Sequence, residues 1–176
     1  MFKNLLSCFL VLFSCNLLAA DLEDELKSKP RTSITLDYIA AENDLYGITL
    51  APSHYDSNYS NWGYYIGYAQ SKKEDIEIEG PAEAYTQEIL WRFGLSYSLT
   101  ANLSLYGGAS AYSNEYAYTN SFSPRIVDGK PRWETDKDTT WGADIGLRYI
   151  LGKHFTLGAG YNSATDSAVL SLGYTM

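Results

Sequence analysis

The 176-residue chain carries a formal net charge of −8 at pH 7, from 21 acidic and 13 basic residues. That balance argues against a nucleic-acid-binding role, whose footprint is a basic face, and the length allows one domain. The two cysteines, Cys8 and Cys15, both fall in the first 20 residues, which leaves the remainder without a disulfide or a thiolate metal site.

Residues 1–20 read as an export signal. Lys3 precedes a nearly unbroken apolar run from Leu5 to Phe13, and small residues end the segment at Leu18-Ala19-Ala20. The apolar run is too short to cross a membrane as a helix. A competing reading takes Leu12-Phe13-Ser14-Cys15 as a lipidation box that leaves an acylated Cys15. Phe13 is unusual there, and Leu17-Leu18 make a poor polar tether, so cleavage near Ala20 is favoured. Losing Lys3 with the signal takes the charge from −8 to −9. Residues 21–32, acidic and then basic with Pro30, are expected to form an exposed periplasmic lead-in.

From Ser33 the period-2 alternation of half-buried strands takes over. Strand one, about Ser33 to Ala41, sets Ile34, Leu36, Tyr38 and Ala40 against Thr35, Asp37 and Ile39. Strand two, about Leu45 to Pro52, sets Tyr46, Ile48 and Leu50 against Gly47, Thr49 and Ala51. Strand three, about Asn61 to Gln70, sets Trp62, Tyr64, Ile66 and Tyr68 against Gly63, Tyr65, Gly67 and Ala69. Strand four, about Thr86 to Leu99, opposes Ile89, Trp91, Phe93, Leu95, Tyr97 and Leu99 to a face with Glu88, Leu90, Arg92 and Gly94. Strand five, about Asn102 to Ser113, is weaker. Strand six, about Thr139 to Leu151, sets Trp141, Ala143, Ile145, Leu147 and Tyr149 against Gly142, Asp144, Gly146 and Arg148. Strand seven runs from about His154 to Ser163, and strand eight from about Asp166 to Met176.

Two architectures produce this pattern. A soluble sandwich or calycin-like barrel turns its apolar faces inward. A small membrane barrel turns them outward to lipid and packs a polar lumen. Here the second faces gather Asp37, Glu88, Arg92, Asp144 and Arg148 among glycines. The interior of an eight-stranded barrel is just wide enough for side chains to fill, glycines make room there, and buried charges must pair. The expectation is therefore an all-β, eight-stranded antiparallel up-and-down transmembrane β-barrel over residues 33–176, its lumen closed by a charge network of those five residues. Sixteen tyrosines and four tryptophans suit membrane interfaces. The connectors at Thr100-Ala101 and Gly152-Lys153 are short, while 71–85 and 114–138 are long. That asymmetry places the termini in the periplasm and the long loops outside.

The export signal, the eight alternating strands and the final Leu170-Ser171-Leu172-Gly173-Tyr174-Thr175-Met176 resemble the small outer-membrane barrel families, the OmpA-like transmembrane domains and the OmpX/Ail group. The resemblance implies an outer-membrane location in a Gram-negative bacterium. It also implies contact with outer-membrane lipid and lipopolysaccharide, and recognition by the barrel-assembly machinery through a C-terminal signal at Leu170, Leu172, Tyr174 and Met176. Such barrels usually end in Phe or Trp, and Met176 departs from that.

Candidate chemistry is sparse. Some barrels of this size modify lipid A, using a histidine near the outer leaflet. His54 and His154 both fall at the expected periplasmic end, away from such a substrate, and read as turn residues. No cofactor, phosphate-loop or metal-ligand pattern is present. The acidic 71–85 loop reads as solvated, with a divalent-cation role as the alternative. In the 114–138 loop, Asp128-Gly129 is a hairpin-turn signal, flanked by Tyr116, Tyr118, Phe122 and Trp133. Strands five and six are expected to continue past the membrane as a protruding hairpin, available to a protein or host-surface ligand by strand addition or serving as a lid. The expected role is non-enzymatic: structural or surface interaction through the loops, for adhesion or envelope integrity. A narrow pore for ions or small solutes is the alternative.

Overall fold

The computed structural model describes residues 30–55, 60–77, 82–119 and 133–176, and the backbone of 126–127 and 130–131. The expected signal at 1–20, all of the lead-in before Pro30, Phe122 and the Asp128-Gly129 turn lie outside the described residues.

Among the described residues, eleven strands follow in chain order: β1 (Arg31–Ile39), β2 (Leu45–Ser53), β3 (Trp62–Gln70), β4 (Glu74–Ile76), β5 (Ala84–Ser98), β6 (Leu103–Thr119), β7 (Ile126–Val127), β8 (Lys130–Pro131), β9 (Trp133–Leu151), β10 (Phe155–Asn162) and β11 (Ser167–Thr175). Eight of them, β1, β2, β3, β5, β6, β9, β10 and β11, pair antiparallel with their neighbours. β3 with β5 and β1 with β11 complete the circuit. Closure gives each barrel strand a paired neighbour on both sides, the condition for spanning lipid with strands.

The faces are inside out relative to a soluble protein. Leu36 and Trp141 are each 67% exposed, while Arg92 is 2% and Asp144 1% exposed. The outward residues form a band. Leu36, Ile48, Ile66, Phe93, Leu147 and Leu172 occupy its middle. Trp62, Tyr97, Phe155 and Tyr174 ring it at the end holding the termini, and Tyr46, Tyr68, Trp91, Trp141 and Tyr161 ring it at the other. Paired aromatics build these girdles, as with Trp62 edge-on to Tyr97 at 5.1 Å and Tyr68 against Trp91 at 4.7 Å. Two aromatic belts around an apolar waist match a bilayer with two interfaces.

Strand length divides the barrel into two parts. β1, β2 and β3 have nine residues each, about 30 Å at 3.3 Å per residue. Tilted, that length crosses the hydrocarbon layer once. β5 has 15 residues, β6 17 and β9 19, so these three overshoot. β6 and β9 stay in register through 17 pairs, from Leu103↔Tyr149 to Thr119↔Trp133. The long loop expected at 114–138 is thus strand at both ends, where sequence periodicity marks strands only to Ser113 and from Thr139. β4 pairs with Ala84–Thr86 of β5, so part of the expected solvated loop at 71–85 is also strand. β7 pairs with β8 on either side of Asp128-Gly129.

Candidate functional site: a layered lumen beneath a protruding sheet

Alternation along each barrel strand sends every second side chain inward, and the register sorts these side chains into layers. At the terminus end, the Thr175 hydroxyl lies 2.7 Å from that of Ser33 and 2.5 Å from that of Thr156. Arg31 caps this end by donating to the Ala101 carbonyl at 3.1 Å.

Next comes an aromatic layer. Tyr65 and Tyr106 meet edge to face at 5.2 Å. The Arg148 guanidinium lies 4.6 Å from the centre of the Tyr106 ring and 5.7 Å from that of Tyr65. Gly146 and Gly160 make this possible, since a Cβ on either would fall 2.4 or 2.3 Å from the Tyr106 hydroxyl. The two glycines supply the room that the Tyr106 ring fills.

Arg92 occupies the middle. Its Nε is 3.2 Å from Oδ2 of Asp144 and one terminal nitrogen is 3.7 Å from Oδ2 of Asp37. The other terminal nitrogen donates to Thr49 Oγ1 at 3.3 Å, and Thr49 in turn donates to Asp37. Tyr65 donates to Asp144 at 3.0 Å and Asn162 donates to its other oxygen at 3.5 Å. Buried charges with this many partners repay part of their desolvation.

Above Arg92 the lumen is apolar. Ile39, Leu45, Ala69, Leu90 and Val169 form one buried apolar cluster, with Ala41 and Tyr112 packed against it. The expectation of a polar lumen misses this layer. Its signal lies in Ile39 and Leu90, which sit on the otherwise polar faces of their strands.

Glu88 lies beyond the apolar layer, at the mouth. Its Oε1 accepts from Asn43 at 2.8 Å, and its backbone amide donates to Ser71 Oγ at 2.9 Å. The five charges expected to share one network are therefore divided. Arg92 joins Asp37 and Asp144. Glu88 is separated from them by apolar side chains. Arg148 makes no ion pair among the described residues and rests on aromatic rings. A one-face assignment from sequence gives the direction of a side chain but not its depth, and depth decides the partners.

The second feature stands beyond the mouth. β4, β5, β6 and β9 form a sheet that continues past the girdle. Tyr116 packs on Tyr118 at 5.4 Å and Trp133 on Tyr85 at 5.2 Å, so Tyr116, Tyr118 and Trp133 are brought onto one hairpin. Lys73 sits 4.2 Å over the Tyr85 ring, and Lys137 pairs with Glu115 at 2.6 Å. Asp136 and Glu134 beside Tyr118 push its ionisation above the ordinary tyrosine value. β10 pairs with β9 only from Asp144 onward, and Ser163 reaches Ala143. Residues 133–142 therefore pair on one side only among the described residues. This end is acidic: Glu74, Asp75, Glu77, Glu83, Glu134, Asp136 and Asp138 outnumber Lys72, Lys73 and Lys137.

His54 and His154 lie at the opposite end. The His54 ring contacts the Ser60 carbonyl at 3.2 Å, and His154 stacks on Tyr174 at 5.0 Å. Among the described residues no set of three His, Cys, Asp or Glu is placed to hold a metal ion. Leu170, Leu172, Tyr174 and Met176 all project outward on the face of β11 and its end.

The barrel has counterparts among known proteins. A family model described as the outer membrane protein beta-barrel domain matches residues 7–170. Ail, the attachment invasion locus protein of Yersinia pestis, solved in complex with the heparin analogue sucrose octasulfate, is 17% identical. That match covers 84% of this chain and 99% of Ail, at a TM-score of 0.55. A major outer membrane protein of Thermus thermophilus is 10% identical over 84% of this chain and 98% of its own, at a TM-score of 0.51. A search of curated proteins finds no significant match.

Proposed function

The chain belongs to the outer membrane protein beta-barrel domain family, and from that premise we propose that it works without catalysis, as a closed barrel that holds a rigid sheet outside a Gram-negative cell for surface interaction. Its termini face the periplasm in this reading, its girdled waist contacts lipid and lipopolysaccharide, and the outward row Leu170, Leu172, Tyr174 and Met176 serves the assembly machinery.

The overshoot of β6 and β9 carries the proposal. Their pairing runs without a break from Leu103↔Tyr149 to Thr119↔Trp133, far beyond what a crossing needs, and the excess forms a stiff, aromatic platform. Tyr116, Tyr118 and Trp133 are the contact residues proposed there. The partner is a protein or host-surface ligand with basic or neutral chemistry. The sulfated sugar held by the Ail structure is not carried over, because the acidic residues of this loop end would repel a polyanion.

A closed lumen fits the same role. Arg92, Asp37 and Asp144 fill its middle and the apolar layer seals it above, which argues against the narrow-pore reading. Two measurements test the proposal. Folded protein, identified by its mobility shift on boiling, should be silent in planar bilayers. Cells displaying a version in which a short turn joins Tyr112 to Thr140 should keep the folded barrel and lose adhesion to a surface that the full-length protein binds. Discrete, reproducible conductance steps would replace this reading with a pore.

A further inference from the structure

A cup of about 260 Å³ opens at the mouth between the β1–β2 turn and the start of the β3–β5 connection. Glu42, Asp44, Tyr46, Lys72 and Glu74 line it. A narrower recess shares Asn43, Ser71, Lys72 and Glu74 with the cup and leads inward to Glu88. Glu88 is only 4% exposed. One of its oxygens is held by Asn43. The other, Oε2, is buried without a hydrogen-bond partner, although the Tyr112 hydroxyl lies close to the Glu88 carboxylate. A buried, half-satisfied carboxylate is costly unless a cation joins it. Lys72 makes no ion pair among the described residues.

We infer that this cup binds an aliphatic organic cation of the polyamine class. One ammonium group sits against Glu88 in the recess. A second meets Glu42, Asp44 and Glu74 in the wider part. The methylenes between them lie along Tyr46. Four carboxylates distributed along a cup, not gathered at a point, match charges separated by a flexible chain. The same dispersal disfavours a bare metal ion, for which the described residues offer no three-ligand set. The buried apolar cluster of Ile39, Leu45, Leu90 and Val169 lies deeper in the lumen than Glu88, so the ligand is held and not passed through. Glu74 stands at the base of the protruding sheet, but the cup uses none of that sheet's proposed contact residues Tyr116, Tyr118 and Trp133 and stands whether or not they bind a partner.

The test is calorimetric titration of spermidine into folded protein in zwitterionic micelles. Saturable one-to-one binding is expected. Glu88→Gln should weaken it at least tenfold, and Lys72→Met, which removes the competing ammonium, should tighten it several-fold. Glu134→Gln, on the hairpin away from the cup, should leave it unchanged. If Glu88→Gln does not show the boiling-dependent mobility shift of folded protein, Glu74→Gln takes its place, with a several-fold loss expected. Unaltered affinity in the Glu88 or Glu74 variant overturns the proposal. So does an equal loss in Glu134→Gln, which would mean diffuse surface charge, and so does displacement of spermidine by magnesium at equal or lower concentration.

Discussion

Arg92 Nε and Asp144 Oδ2 lie 3.2 Å apart, with both side chains almost fully withdrawn from solvent. The pair is the centre of the lumen, and each partner has a different reserve. Arg92 also reaches Asp37 and Thr49. Asp144 also holds Tyr65 and Asn162.

Removing one partner strands the other in a dry interior, which costs about 3–5 kcal/mol in buried pairs. Asp144→Ala should therefore lose stability in that range. Asp37→Ala should lose less, because its contact with Arg92 is longer and Thr49 intervenes. Urea unfolding in micelles, followed by the boiling-sensitive gel shift, ranks the two. Equal losses would mean that Arg92 does not favour Asp144.

Closure of the lumen should be assigned by conductance. Arg148→Ala is expected to stay silent in planar bilayers, since the Arg92 layer and the apolar layer both remain beyond it. A double variant, Leu90→Ser with Arg92→Ser, should conduct. Leu90→Ala alone should cost about 2–5 kcal/mol, the usual range for truncating a buried leucine, without opening a stable path. Steady steps from Arg148→Ala would show that the apolar layer is no seal.

Gly160 faces the Tyr106 hydroxyl and also the Ile145 carbonyl. Gly160→Ala should destabilise by about 1–3 kcal/mol through overpacking. Adding Tyr106→Phe should recover part of that loss but not all, because the backbone contact persists. The coupling can be read from a double-mutant cycle of unfolding free energies, and strict additivity would place the strain elsewhere.

Lys137 and Glu115 form a short ion pair on the outer sheet, at 2.6 Å, yet Lys137 is about half exposed. Exposed pairs are worth about 0–1 kcal/mol. Lys137→Ala should leave the unfolding midpoint nearly unchanged. Protection of the 113–119 and 133–139 amides from hydrogen exchange should also persist, since paired backbone and aromatic packing hold that sheet. Loss of protection there would show that the ion pair is structural.

Much of the barrel can be read from residues alone, because lipid and lumen impose opposite chemistry on alternate positions. The alternation Trp141, Ala143, Ile145, Leu147 against Gly142, Asp144, Gly146, Arg148 assigns each residue to its face. What alternation cannot supply is the relative height of strands. Asp37, Arg92 and Asp144 fall at one level only through the β1–β2, β3–β5 and β9–β10 registers, and those registers place Glu88 and Arg148 at other levels. The extension of β6 and β9 is also illegible by period. Residues 133–140 are exposed on both faces, so nothing selects one face to be apolar. Only the aromatic residues around Asp128-Gly129 point to a continued hairpin.

The seam between β1 and β11 joins positions far apart in the chain: Ser33 pairs with Thr175, and Thr32 and Met176 exchange backbone hydrogen bonds at 2.9 and 3.0 Å. This seam closes the ring only when the first and last strands are both in place. Its contacts carry the largest loop-closure entropy in the molecule, and such distant contacts slow folding. Until β11 arrives, β1 presents an open edge that another chain could occupy. The barrel's final strand is thus a lock on a process that must wait for the whole chain, and the rate of assembly should follow delivery of the C-terminal segment more than the formation of any hairpin before it.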